Sequence, residues 1–228
     1  MKKHIPNLLT CLNLFSGCIA VLMALQGNIK IVTICVFASG IFDFFDGMVA
    51  RLLHVKSPIG KELDSLADMV SFGFLPGIIM FTLLSKVFPD GSLYPYLGFI
   101  ITVFSALRLA KFNLDERQTS DFIGLNTPMN TFYVLSLPYI ADTYPQFVLN
   151  PLILISSILL TSYLLVSEIR LFSMKFSSME WKANKYRFIF LILTLIFFMI
   201  GQFMALPIIL ILYFILSALH FNKKNDLS

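Results

Sequence analysis

DFFDGMVARLLHVKSPIGKELDSLAD, residues 43–68, is the stretch that decides how this chain is read. Asp43, Asp46, Gly47, Ala50 and Arg51 follow the steps i, i+3, i+4, i+7 and i+8, which place them on one face of a helix. Gly60, Asp64 and Asp68 follow i, i+4 and i+8 and make one face of a second helix. The turn between the two is short, so the sequence predicts an antiparallel pair whose polar faces meet. Four carboxylates would then crowd one small volume, and like charges that close need a counter-ion. Hard oxygen donors point to one or two divalent cations, Mg2+ or Mn2+.

Around this stretch the chain is apolar. Of its 228 residues 57% are hydrophobic, and the mean hydropathy is +0.83. A water-soluble domain cannot hide that much apolar surface. The composition therefore predicts an all-α, polytopic membrane helical bundle forming a single domain over residues 1–228. Eight spans are expected, at about 8–26, 29–53, 60–87, 93–112, 128–142, 148–169, 186–203 and 207–221. The fifth and eighth are short for a hydrocarbon layer of about 30 Å. The basic start Met1-Lys2-Lys3-His4 precedes an apolar run too long for a signal core, which reads as a retained first span. The net charge of +4 is read as topology and excludes no more than a strongly basic, nucleic-acid-binding character.

The basic residues sort by side. Lys2, Lys3, Arg51, Lys56, Lys61, Arg108, Lys111, Arg117, Arg170, Lys175, Lys182, Lys185, Arg187, Lys223 and Lys224 fall on one side of an eight-span chain. Only Lys30 and Lys86 fall on the other. The positive-inside rule makes the first side cytoplasmic, with both termini and the aspartates near it. Asp43 lies about 12 Å along its helix from Arg51, inside the membrane but close to cytoplasmic water. An acid at that depth is a functional candidate. Cys11, Cys18 and Cys35 read as small buried apolar residues, and His4, His54 and His220 as lone histidines without a metal role. Residues 175–187, with Trp181 and Tyr186, read as an interfacial segment.

The pattern D-x2-D-G-x2-A-R-x8-G-x3-D-x3-D, complete here, resembles the signature of the CDP-alcohol phosphatidyltransferases. The resemblance implies a six-helix core followed by a C-terminal helical hairpin, in a homodimer of the cell (inner) membrane. It implies that Asp43, Asp46, Asp64 and Asp68 hold the metal, and that Asp68 is also the general base. Gly47, Ala50 and Arg51 correspond to residues that contact the CDP part of CDP-diacylglycerol. Gly60 corresponds to a small residue that lets the second and third spans approach. Ser57, Asn7 and Thr10 correspond to further nucleotide contacts. Breaking a diphosphate suits such a site, since negative charge builds on the leaving CMP and on the phosphoryl oxygens.

The acceptor alcohol is read from other stretches. LDSLADMVSFGFLP (63–76), SALRLAKFN (105–113) and FIGLNTPMN (122–130) resemble the branch of the family that uses L-serine, with Asn126 where a proline is expected. That implies the reaction CDP-diacylglycerol + L-serine → CMP + phosphatidylserine, in phospholipid biosynthesis. The alternatives are glycerol 3-phosphate or an inositol phosphate as acceptor, or an ion-coupled transporter using the acids as its ion site. Serine brings a carboxylate to an acidic site, so a cation must receive it. Arg108 and Lys111, one turn apart near the cytoplasmic end of the fourth span, are the candidates. Pro76 is expected only to kink the third span.

Overall fold

The structure, a computed structural model, describes residues 4–55, 57–115, 121–174 and 180–225, with backbone only at 182, 183 and 223–225. Of the residues used to orient the chain, Lys2, Lys3, Lys56, Arg117 and Lys175 lie outside the described residues. The side chains of Lys182, Lys223 and Lys224 do too.

Helix α1 (His4–Leu25) and helix α2 (Ile29–Leu52) form a hairpin closed by Gly27 at φ +74° and by Asn28, whose side chain caps α2. Helix α3 (Pro58–Asp68) begins where Ser57 accepts the Gly60 N–H and Pro58 supplies a preset φ. A π-helical turn (Met69–Phe74) joins α3 without a break to α4 (Leu75–Ser85). A 3₁₀ turn (Tyr94–Gly98) leads into α5 (Phe99–Leu114). Strand β1 (Phe122–Ile123), helix α6 (Thr127–Thr143), the single turn α7 (Pro145–Val148) and α8 (Pro151–Val166) follow. Strand β2 (Arg170–Leu171) then pairs antiparallel with β1, and α9 (Trp181–Gly201) and α10 (Leu206–Asn225) end the chain.

All eight expected apolar segments are thus helical, and this is a multi-pass helical membrane protein. The stretches His4–Leu25, Ile29–Leu52, Pro58–Ser85, Tyr94–Leu114 and Asn184–Asn222 are long and apolar enough to cross a membrane. The last holds both α9 and α10. The break at Gln202, φ 48°, and the packing of α10 on α9 make it a hairpin rather than one rod. The short members are the fifth segment and, against expectation, the sixth. Asn150 caps α8 and Pro151 starts it, so it keeps 16 residues while α10 has 20. Cys35 is buried, but Cys11 and Cys18 lie exposed on the outer face of α1, contrary to the sequence reading.

The core is one apolar cluster shared by α1, α2, α4, α5, α6 and α8. A smaller one, Leu171, Phe172, Phe190, Ala205, Ile209, Tyr213 and Leu216, seats the α9–α10 hairpin on β2.

Pro76 does more than kink. Its missing N–H leaves the Phe72 carbonyl, four residues back, without a helical donor. The Thr131 hydroxyl of α6 lies 2.9 Å from that carbonyl and 2.9 Å from the Thr127 carbonyl of its own helix, and shares its one proton between them. Within the widened turn the Leu75 N–H reaches Val70, five residues back. The turn lies directly after Asp68 and is packed hard on both sides. A Cβ at Gly17 of α1 would lie 3.0 Å from the Ser71 Cα, and one at Gly73 would lie 3.1 Å from the Ser105 Cβ of α5.

Candidate active site

Asp43, Asp64 and Asp68 each place a carboxylate oxygen within 4.8 Å of the others. Asp43 comes from the C-terminal half of α2, and Asp64 and Asp68 come from successive turns of α3. Asp46 stands beside this group, 7% exposed, with its Oδ2 accepting the Thr10 hydroxyl at 2.6 Å. Helix α1 packs along α2 and against α3, so its polar edge completes the site. Asn13 donates from Nδ2 to Asp68 Oδ1 at 3.2 Å. Its own carbonyl accepts the Ser39 and Ser71 hydroxyls, both at 3.1 Å, which fixes α1 against α2 and the π-helical turn. Asp64 Oδ1 and Asn13 Oδ1 are buried with no hydrogen-bond partner in the structure. Buried oxygens without donors and three carboxylates together, with no lysine or arginine ion-paired to them among the described residues, fit a divalent cation.

The remaining expected residues divide into two groups. Asn7, Thr10, Gly47, Ala50, Ser57 and Gly60 line one groove of about 460 Å³, together with Asp46 and Asp64. A Cβ added at Gly47 would meet nothing within 4 Å, so its missing side chain opens the groove rather than relieving a clash. Gly60 differs from its expectation. A Cβ there would meet Asn7 Oδ1 at 3.1 Å, so the close approach is to α1 and not to the second span. Arg51 does not line this groove. It faces the adjoining one with Ala50, His54 and Val55. Lys61, read as topological only, also lines the main groove while its Nζ donates to the Asn113 carbonyl at 3.0 Å.

Arg108 and Lys111 have separate surroundings. Arg108 is 6% exposed, lies within electrostatic reach of Asp68, donates from Nε to the Leu125 carbonyl at 3.1 Å and stacks over Phe112. Its Nη2 is buried without a partner. Lys111 is exposed and pairs with Glu168 at 2.6 Å. Ser105 on α5, and Thr127 and Asn130 on α6, are further buried side chains with unpartnered polar atoms. Asn126, the departure from proline, caps α6 by accepting the Met129 N–H at 2.8 Å. The sequence reading missed Asn13. The three-residue steps Asn7, Thr10, Asn13 along α1 were its visible signal.

A helical membrane protein with a cluster of aspartates beside a groove of small residues has the build of a membrane enzyme whose site fits a divalent cation. Residues 3–166 match the family model of CDP-alcohol phosphatidyltransferase, and the chain belongs to that family. It is similar to the CDP-diacylglycerol–serine O-phosphatidyltransferase of Bacillus subtilis (strain 168). The two are 33% identical over 158 residues, which is 67% of this chain and 80% of that protein. A Helicobacter pylori (strain J99) protein of the same name is 34% identical over 142 residues, covering 61% of this chain and 59% of the relative. The archaetidylserine synthase of Methanothermobacter thermautotrophicus is 30% identical over 145 residues, covering 62% and 60%. The chain thus spans about 60% of the length of the last two.

Proposed function

We propose that this enzyme transfers the phosphatidyl group of CDP-diacylglycerol to L-serine, releasing CMP and phosphatidylserine. The names of its relatives support the donor and the acceptor. The observation that carries the reading is the placement of the aspartate cluster between an open groove and a buried arginine with an unpartnered nitrogen. In this reading the nucleotide enters the groove lined by Asn7, Thr10, Gly47, Ala50, Ser57 and Gly60, and Arg51 meets the nucleotide at the groove's edge. The acyl chains lie along the apolar groove of about 560 Å³ that runs from Asp43 past Phe37, Ile41, Phe44 and Phe132.

Asp43, Asp46, Asp64 and Asp68 would hold one or two ions, Mg2+ or Mn2+. When bound, they would neutralise the charge that builds on the phosphoryl oxygens and on the leaving phosphate. Asn13 holds Oδ1 of Asp68, so Oδ2 is the oxygen available to take the proton of the serine hydroxyl. The serine oxygen then forms its bond to the phosphorus that carries the diacylglycerol. The bond from that phosphorus to the bridging oxygen breaks, and CMP leaves with the electron pair. Arg108 receives the serine carboxylate on its free Nη2. Lys111, already paired with Glu168, has no part in that contact. We further propose that residues 1–228 act as one membrane domain, as a homodimer, with the site facing the cytoplasm.

The test is to give purified protein CDP-diacylglycerol with serine, glycerol 3-phosphate or inositol phosphate in turn. CMP release with serine alone is expected, and release with another acceptor but not serine would overturn the proposal.

A further inference from the structure

Arg108 is oriented by a carbonyl in a short loop. Its Nε donates to Leu125, which ends the short link between β1 and α6. Backbone bonds tie that link to the last turn of α8 and to the segment after it: Leu125 N–H to the Leu164 carbonyl at 2.9 Å, and Gly124 N–H to the Ile169 carbonyl at 2.8 Å. Gly124 sits at φ 75°, and a Cβ there would come within 2.8 Å of the Leu165 and Ser167 carbonyl oxygens, so the contact is backbone on backbone. The ladder of β1 and β2 is two residues long on each side. An isolated pair of strands this short is not stable in water, so its register must be fixed from outside.

The outside support is Arg187 of α9. Its Nε donates to the Ser173 carbonyl at 2.7 Å, its Nη1 to Asn184 Oδ1 at 2.9 Å and its Nη2 to Asp121 Oδ1 at 3.4 Å. The Ser173 N–H also donates to Asp121 Oδ1, at 3.3 Å. One planar guanidinium thus joins the residue before β1 to the residue two after β2. The Arg187 side chain is 12% exposed, which is unusual for a residue that merely anchors a helix to headgroups. From α10, the Tyr213 hydroxyl donates to the Phe172 carbonyl at 2.7 Å, so both helices of the hairpin hold the same loop. All of these hairpin residues lie beyond residue 166, where the family match ends.

We infer that Arg187 is a positioning residue for acceptor binding: it fixes the β1–β2 loop pair, and through the Leu125 carbonyl it fixes the guanidinium of Arg108. The inference rests on the reading that Arg108 receives the serine carboxylate. A displacement of about 1 Å at such a contact is enough to cost a large factor in rate or affinity. The donor groove lies on α1, α2 and α3, whereas the hydrogen bonds of Arg187 among the described residues go to Asp121, Ser173 and Asn184.

The experiment compares Arg187→Gln, Arg187→Lys, Arg108→Lys and the double variant Arg108→Lys/Arg187→Gln in the full-length protein. It reads kcat and the separate KM values for serine and CDP-diacylglycerol. Loss of charge-assisted hydrogen bonds predicts a rise of roughly tenfold in the serine KM of Arg187→Gln, with the donor KM unchanged. Arg187→Lys should recover part of it, because an ammonium keeps the charge but not the three-way fork. The double variant should be no worse than Arg108→Lys alone, since both act on one contact. Should Arg187→Gln fail to accumulate, the same split in Arg187→Lys carries the test. An unchanged serine KM in Arg108→Lys removes the carboxylate reading itself. A raised serine KM there, with no rise or an equal rise in both KM values on changing Arg187, overturns the positioning role.

Discussion

The two sides of the aspartate cluster are built in opposite ways. Toward α1 the site opens into a groove of about 460 Å³, lined by small residues and by one face each of three helices. Toward α5 and α6 it meets Arg108, nearly buried, held by one backbone carbonyl and leaving one nitrogen unused. In the proposed reading the open side accommodates the large donor by leaving side chains out, and the closed side receives the small acceptor by keeping a charge desolvated. A buried guanidinium with an unpartnered nitrogen is costly, so its position must be fixed by what surrounds it. That difference explains why the donor side is made from consecutive segments, whereas the acceptor side needs loops and helices from the far end of the chain.

The first way to break this comparison is at the cluster between the two sides. Asp43→Asn or Asp64→Asn should abolish turnover, measured as CMP release, because each removes one of three gathered carboxylates. Asp68→Asn tests the base separately. It should lower kcat by roughly 10²–10⁴-fold beyond any loss of metal affinity, while CDP-diacylglycerol binding survives. Near-normal turnover in that variant would reassign the base. On the open side, Gly47→Leu should raise the donor KM and leave the serine KM alone. Thermal stability should hold or rise, because nothing beyond the neighbouring residues and the helix's own backbone lies within 4 Å of the new Cβ and helix propensity favours the change by a few tenths of a kcal/mol or more. A loss of stability without a KM effect would mean that Gly47 serves packing. The smallest effect expected is that of Thr131→Val, which removes the hydroxyl shared between the Phe72 carbonyl beneath Pro76 and the Thr127 carbonyl. It should cost about 1–3 kcal/mol of stability, read by thermal unfolding in detergent, with both KM values little changed.

The same asymmetry decides what could be read in the sequence. The donor side was legible because its residues recur at helical steps within two adjacent segments, so spacing alone put Asp43 and Asp46 on one face and Asp64 and Asp68 on another. The helical membrane class was legible in composition. Asn13 was harder to see, because the steps Asn7, Thr10 and Asn13 mark a polar edge of α1 without saying what it meets, and its role comes from a contact 55 residues away. Gly60 was given the wrong neighbour for the same reason, since spacing says which residues share a face but not which helix they meet. The lengths of the sixth and eighth segments were set by Asn150 with Pro151 and by the break at Gln202, details finer than hydropathy. Least legible was the loop clamp, in which Asp121, Ser173 and Arg187 meet only after three further helices have folded. By charge alone Arg187 was one more cation on the cytoplasmic side.

The account turns on the carboxylate cluster holding a divalent cation during phosphatidyl transfer, and the most direct measurement is CMP release by the purified protein after metal removal. With EDTA present and both CDP-diacylglycerol and serine supplied, turnover should vanish, and Mg2+ or Mn2+ added in excess should restore it. Full turnover in the metal-free protein would contradict the account.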